Sequence, residues 1–237
     1  MIKFFRTIRK DLMEKNNTGK YLKYAIGEII LVVIGILIAL SINNWNEHTK
    51  TLDLEQVFLV DLKEDLNRNK ELLKEDIHEN TLSISSMELL LKNLKNKNMY
   101  HDSLKVHFHR ARLFPDPDLS LSSYEALKNK GFDLIQSKKL RKKIVDLFEL
   151  SFGTMIATLN RIENSIRPPF QEHQNNNFET EELGYLSPNN YKLLQSDQVY
   201  FNILSQRIMF NGRSISMKSQ CIKNIDEVIQ LIDKELK

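Results

Sequence analysis

The sequence predicts an all-α membrane protein, in which one N-terminal transmembrane helix is followed by a membrane-anchored antiparallel helical bundle with long helices. Three observations predict this class. Residues 25–42 form an apolar run, three later segments repeat apolar residues at spacings of three and four, and 7 Gly and 5 Pro in 237 residues are too few for a turn-rich β fold. The expected domains are a basic cytoplasmic tail (1–24), the transmembrane helix (25–42) and a periplasmic helical domain (50–237).

The apolar run has the length that a bilayer requires. It covers 18 residues from Ala25 to Ile42, and its polar members are Glu28 and Ser41. At about 1.5 Å per residue it spans roughly 27 Å, close to the hydrocarbon thickness of about 30 Å. Amphipathic rings favour the headgroup level, and the residues predicted at the membrane interface are Tyr21, Tyr24 and Trp45.

The charge distribution predicts the orientation of this helix. Residues 1–24 contain seven Lys or Arg and two acidic residues, whereas Lys50 is the first Lys or Arg after the span. The positive-inside rule therefore keeps the N-terminus in the cytoplasm and exports the C-terminal domain, to the periplasm in a Gram-negative cell. Residues 1–15 are amphipathic and predict a helix on the inner leaflet, and the alternative is a frayed basic tail that only sets the topology. A cleaved signal peptide is the alternative, although 28 residues before the apolar core are long for one.

One face of the membrane helix is predicted to associate. On a helical wheel, Gly35 and Ala39 each fall within about 20° of Glu28, and Gly35 and Ala39 form a small-xxx-small pair that lets two helices approach closely. A carboxylate within the apolar segment tends to face a partner or water. The alternative is that Glu28 lies near the cytoplasmic boundary and reaches toward the headgroups at little cost.

Three segments carry the periodicity of bundle helices. The first runs from Leu59 to Leu94 and the second from Val145 to Ile166, whereas the third repeats an apolar residue at every seventh position from Phe201 to Leu236. Between these lies a second series, formed by Leu204, Asn211, Lys218, Ile225 and Ile232. Three asparagines interrupt the apolar stripes: Asn69, Asn80 and Asn211. They are either buried residues that fix the register or residues at the edge where a stripe meets solvent. The second alternative is favoured for Asn80.

Local signals predict where the helices begin and end. Ser122 fits a capping box that opens a short helix, and Ser137 can cap the second long helix. Pro168-Pro169 is expected to terminate that helix. Residues 95–119 and 168–187 are expected to be loop-like connections.

Candidate chemistry is sparse. The sequence contains no glycine-rich phosphate loop, GxSxG elbow or HExxH motif, and its single cysteine, Cys221, excludes an intramolecular disulfide and Cys-rich zinc sites. His107-Phe108-His109 could ligate a metal if the segment were extended, but two loop histidines in a basic segment are the favoured interpretation. No catalytic residue, cofactor or metal site is therefore predicted. Beyond residue 24 the chain carries 27 basic and 29 acidic residues, so its basicity belongs to the tail and no nucleic-acid partner is expected.

The N-terminal residues resemble those of a known family. The stretches 1–6, 18–21 and 24–47, the last ending Ile42-Asn43-Asn44-Trp45-Asn46-Glu47, are similar to the N-terminus of an uncharacterised family of single-pass membrane proteins common in Bacteroidetes, and a weaker similarity covers 123–141. This family has a domain of unknown function. The resemblance implies a Gram-negative inner membrane and no activity.

The sequence thus predicts a non-enzymatic inner-membrane protein whose periplasmic bundle binds a partner or assembles with itself. Its expected partners are the lipid bilayer and either further copies of the chain or an unidentified membrane or periplasmic protein. The alternative is a membrane-embedded oligomer that uses Glu28 for ion or proton passage, and an enzyme ranks third.

Overall fold

The computed structural model describes residues 18–114 and 118–236, and this part of the chain is almost entirely helical, which confirms the predicted class. The surface helix expected at 1–15 lies outside the described residues. The described residues divide into two compact units, which separate between Glu55 and Gln56. The helices are α1 (Thr18–Lys95), α2 (Leu104–Arg112), α3 (Ser122–Lys130), α4 (Lys138–Val145), α5 (Gly153–Asn177), α6 (Tyr191–Leu194) and α7 (Gln198–Glu235).

The N-terminal unit, as far as it is described, consists of the first part of α1. The chain has no Gly or Pro between Ile36 and Phe114, so nothing interrupts the helix until it ends at Lys95. None of the most apolar 18-residue window of α1 is buried, and this helix is long and apolar enough to cross a membrane. The described residues thus contain one candidate membrane span, where the sequence predicts it.

In the C-terminal unit, α7 packs antiparallel to α1. The ion pairs between the two helices show this directly, because the residue numbers of the paired residues rise along one helix as they fall along the other. Asp233, Asp226 and Lys218 of α7 pair in turn with three residues of α1, which are Lys63, Lys70 and Asp76.

The second long helix is also antiparallel to α7. It is built from α4, a π-helical segment (Asp146–Phe152) and α5, and Ser137 caps its first turn as predicted, since its side chain accepts a hydrogen bond from the Leu140 N–H. In the π-helical segment, the Ser151 hydroxyl accepts a hydrogen bond from the Asn224 amide at 2.9 Å. The inserted residue of a π-turn rotates the helix face, and here Ser151 contacts α7.

Pro168 and Pro169 do not end this helix, so that prediction is wrong. α5 continues to Asn177, although each proline removes one backbone donor. Beyond the prolines, Phe170 and His173 are buried, and their packing holds the last turns in place. Only after Asn177 does the chain form a two-stranded antiparallel hairpin of β1 (Phe178–Thr180) and β2 (Leu186–Pro188).

The connection expected at 95–119 is wrong in part, because it contains α2. Leu104, Phe108 and Ala111 recur at spacings of four and three and are buried, which gives this short segment one apolar face. They join a hydrophobic cluster with the end of α1 and the start of α7. The segment that contains the HxH pattern is therefore helical, whereas an HxH metal site would need it to be extended.

A polar layer divides the interior of the bundle. On α1 the buried apolar residues are leucines up to Leu73 and resume at Met87, and the buried residues between these two are all polar: Asn80, Ser83 and Ser86. On α7 the matching positions are Asn211, Ser214 and Lys218, of which Ser214 lies 3.4 Å from the Asn80 amide. We call these residues and Asp76 the polar layer.

The burial of residues on the two long helices corrects the prediction for Asn80 and shows which series of α7 is packed. Asn80 is 1% exposed and does not lie where the stripe meets solvent. Asn69 and Asn211 are also buried, as expected for residues that fix the register. On α7 the centre of the packed face is the second series, with Ile225 fully buried, and Ile222 of the first series is half-buried at its edge.

Asp65 anchors the start of α3 to α1. Its carboxylate accepts hydrogen bonds from the hydroxyls of Ser120 (3.1 Å), Ser122 (2.9 Å) and Ser123 (2.5 Å), and from the Ser123 N–H (3.0 Å). The predicted capping box is therefore wrong: Leu121 occupies the N-cap without a side-chain bond, and the Ser122 hydroxyl bonds Asp65. A carboxylate from another helix satisfies the donors that a local cap would otherwise serve.

Candidate functional site

The membrane-helix residues lie on α1 as the sequence predicts. Glu28, Gly35 and Ala39 share one face because their spacings are seven and four in a continuous helix. Gly35 and Ala39 are exposed, and a Cβ atom added to Gly35 would meet nothing within 4 Å. Trp45 is also exposed, whereas the side chains of Tyr21 and Tyr24 lie outside the described part of the chain.

A pocket of about 540 Å³ lies between the end of α2 and the second half of α5. Its walls combine two guanidinium groups and three amide side chains with an aromatic floor. None of the described residues that line it is acidic. These lining residues are Arg112, Leu113, Phe114, Arg167, Phe170, Gln171, Gln174 and Asn175.

Arg207 of α7 lies behind the aromatic floor and is fully buried. Its guanidinium donates hydrogen bonds to the carbonyl oxygens of Ala111 and Leu113, and its carbon lies 3.7 Å from the ring centre of Phe114 and 4.8 Å from that of Phe170. Burial lowers the Arg207 pKa to about 9, so the group is charged at neutral pH. No described carboxylate forms an ion pair with it, and its guanidinium contacts carbonyl oxygens and aromatic faces.

Arg167 supplies a second guanidinium at the pocket wall. It pairs with Glu163 one turn earlier on α5, and its carbon lies 4.4 Å from the centre of the Phe114 ring. Phe114 thus contacts two guanidinium groups, and the carboxylate of Glu163 neutralises one of them. The continuation of α5 past Pro168 matters here, because it places Phe170 and the amides in the same wall.

Arg112, at the end of α2, is half-buried and makes no hydrogen bond or ion pair with any described residue. The turn between β1 and β2 fixes its surroundings. Gly184 in that turn has φ +79°, and a Cβ atom added there would lie 3.3 Å from an Arg112 guanidinium nitrogen. His109 holds the same turn, since its Nδ1–H donates to the Gly184 carbonyl oxygen at 2.9 Å.

The two histidines of the HxH pattern therefore serve packing contacts. Residues two apart on a helix do not share a face, and His107 bonds the Ser86 hydroxyl of α1 at 3.1 Å while His109 bonds the hairpin. Among the described residues, no group of three or more His, Cys, Asp or Glu could hold a metal ion.

A buried histidine–carboxylate pair lies at the start of α7. His173 Nε2 donates to Asp197 at 2.6 Å and its ring stacks on Tyr200 at 4.9 Å, while the other Asp197 oxygen accepts from the Tyr200 N–H and caps the helix. Burial raises the Asp197 pKa, but the bonds from His173 and this N–H outweigh it and hold the pKa below its usual value. The pair fixes α5 against α7.

Sequence reasoning missed the pocket. Arg110 and Arg112 were recognisable as a basic segment, and Arg207 stands three residues after the apolar Leu204 on the packed side of α7. That position was the available signal, since an arginine beside a core position is buried only with partners. Nothing local indicates that Arg112, Arg167 and Arg207 meet.

Residues 28–110 match the model of a family of unknown function, DUF6090. The match covers most of the candidate membrane span, α1 from Glu28 to its end, and α2 as far as Arg110, so it supports a resemblance to an uncharacterised family over that range. The pocket residues from Arg112 onward lie outside it. No curated protein matches the chain, and no solved structure matches it.

Proposed function

We propose that this protein is a non-enzymatic, single-pass inner-membrane protein whose helical domain lies in the periplasm and serves binding. The observation that carries the anchoring is the contrast along α1: no residue of the apolar window near its start is buried, whereas Leu59, Leu62 and Leu66 further along are buried. Exposed apolar surface of that extent is stable in a bilayer and not in water. The seven basic residues before the span support the orientation.

Reporter fusions test this topology. Alkaline phosphatase fused after residue 237 should be active, and a fluorescent protein that matures only in the cytoplasm should be dark there. The matched control is the same pair fused after residue 24, before the span, where the two results should be reversed. Cytoplasmic fluorescence at the C-terminal fusion, with inactive phosphatase, would overturn the proposed location.

Self-association through the face that carries Gly35 and Ala39 is part of the proposal. Close approach of two backbones requires small residues at a shared face, and both residues are exposed on α1. In a chain with Cys221 replaced by Ala, Ala39→Cys should form disulfide-linked dimers in membranes far faster than Leu37→Cys, which points to the opposite side of the helix. Equal crosslinking at the two positions would contradict this interface.

A further inference from the structure

We propose that the pocket formed by Arg112, Arg167, Phe114 and the amides of α5 binds a small soluble anion that carries a carboxylate or phosphate group. The inference rests on the proposed function in one respect, since it names the ligand class of the binding domain. It concerns residues that lie outside the family match. The pocket's charge, its unused hydrogen-bond donors and its size support it in turn.

The charge at the pocket is unbalanced. Three guanidinium groups converge on it, two in the wall and Arg207 behind the floor, and Glu163 is the one described carboxylate that pairs with any of them. Phe114 and Phe170, whose rings meet edge to face at 6.0 Å, form an apolar floor of low polarity. Opposite charges attract more strongly beside such a surface than in water, so an anion gains most at this place.

The side chains that line the cavity carry hydrogen-bond donors without a partner among the described residues. Arg112 has no protein partner among the described residues, and the side chains of Gln171, Gln174 and Asn175 form no hydrogen bond with that part of the chain either. A planar guanidinium presents paired N–H donors that match two oxygens of a carboxylate or phosphate. The amides can bind the remaining oxygens or a polar group of the ligand.

The turn between β1 and β2 lies beside the Arg112 guanidinium. Gly184 leaves space beside the guanidinium where any other residue would place a Cβ atom at 3.3 Å, and the His109 bond to the Gly184 carbonyl holds this turn. A volume of about 540 Å³ lies within the range of roughly 300–1,000 Å³ found for small-molecule pockets. Since Gln171 and Asn175 are exposed, they form the mouth.

Isothermal titration calorimetry on the full chain tests the proposal. The protein is placed in phosphatidylcholine nanodiscs, whose lipid carries no net charge, and is titrated with inorganic phosphate and, separately, with succinate. Arg112→Gln should weaken binding about tenfold or more, because a charge-assisted hydrogen bond is lost. Arg161→Gln is the matched control: it removes an exposed arginine of α5, one of the two helices that form the pocket, and should change the affinity less than about twofold.

The two titrations identify the chemical group, since preference for phosphate or for succinate shows which oxyanion the donors fit. No saturation by either anion up to about 10 mM, or equal weakening by Arg112→Gln and Arg161→Gln, would overturn the proposal. Circular dichroism checks that Arg112→Gln is folded. Gln174→Leu is a second variant that leaves every charge in place and should also weaken binding. Because the titration uses purified protein, its failure is distinguishable from a failure of the reporter fusions.

Discussion

Removing the Asp65 carboxylate should destabilise the bundle by roughly 3 kcal/mol. The side chain is 6% exposed and accepts four hydrogen bonds at the start of α3. Hydrogen bonds to a charged group each contribute about 1.5–3 kcal/mol, but bonds to one carboxylate are not additive. In Asp65→Ala the three hydroxyls can turn toward other acceptors, whereas the Ser123 N–H cannot. The value of roughly 3 kcal/mol therefore corresponds to the loss of one to two such hydrogen bonds.

Thermal unfolding of the full chain in detergent, followed by circular dichroism, measures this loss. For a chain of this size 1 kcal/mol lowers Tm by about 2–4 °C, so Asp65→Ala should melt roughly 6–12 °C below the wild type. Asp65→Asn keeps one acceptor oxygen and should lie between the two. The control is Glu64→Ala, which removes the exposed carboxylate next to it. If Asp65→Ala and Glu64→Ala melted together, the carboxylate would not anchor α3.

The same contribution should depend on pH. Burial raises the Asp65 pKa, but the hydrogen bonds from Ser123, Ser122 and Ser120 outweigh it and hold the pKa below its usual value. A depressed folded-state pKa stabilises the fold above the unfolded pKa of about 3.9, and this stability is lost as the pH falls through the folded value. The Tm difference between the wild type and Asp65→Ala should thus be constant from about pH 7 to pH 5 and shrink below pH 4. A constant difference down to pH 2 would contradict the assigned hydrogen bonds.

Three further substitutions test other contacts, each by thermal unfolding. Lys218→Met leaves the Asp76 carboxylate without its buried partner and should cost about 3 kcal/mol, and the added change Asp76→Leu should recover most of it. Ile225→Asp places a charge at a fully buried position and should cost roughly 4 kcal/mol or more, clearly more than Ile222→Asp. Gly184→Ala combines the strain of φ +79° with the contact beside the pocket and should lower Tm by about 2–4 °C.

The features that the sequence predicts correctly are those encoded by neighbours along the chain. The apolar run at 25–42 and the helical spacing of the leucines in α1 need no knowledge of other segments. The errors occur where contacts with residues distant in the sequence override the local pattern. α5 passes through Pro168 because Phe170 is buried against other elements, and the start of α3 is satisfied by Asp65, which lies 58 positions before its Ser123 partner.

The pocket could not be predicted for the same reason. Arg112, Arg167 and Arg207 come from three helices, and only the tertiary packing brings their guanidinium groups to one place. A basic residue in a sequence is ordinarily a solvated surface group. The burial of Arg207 and the absence of a described partner for Arg112 are properties of the folded chain and are invisible in composition or periodicity.

The polar layer determines the alignment of α7 along α1. Two helices with a heptad of apolar residues can in principle slide by seven positions and still bury similar side chains. Such a shift of α7 would bring Ile225 or Asn211 opposite Asp76 and would leave Lys218 among leucines or beside the apolar cluster. Since an unpaired charge in the interior is costly, each shifted arrangement is penalised twice, once at the lysine and once at the aspartate. The bundle therefore gives up some apolar burial at its centre and gains a single permitted alignment of its two longest helices.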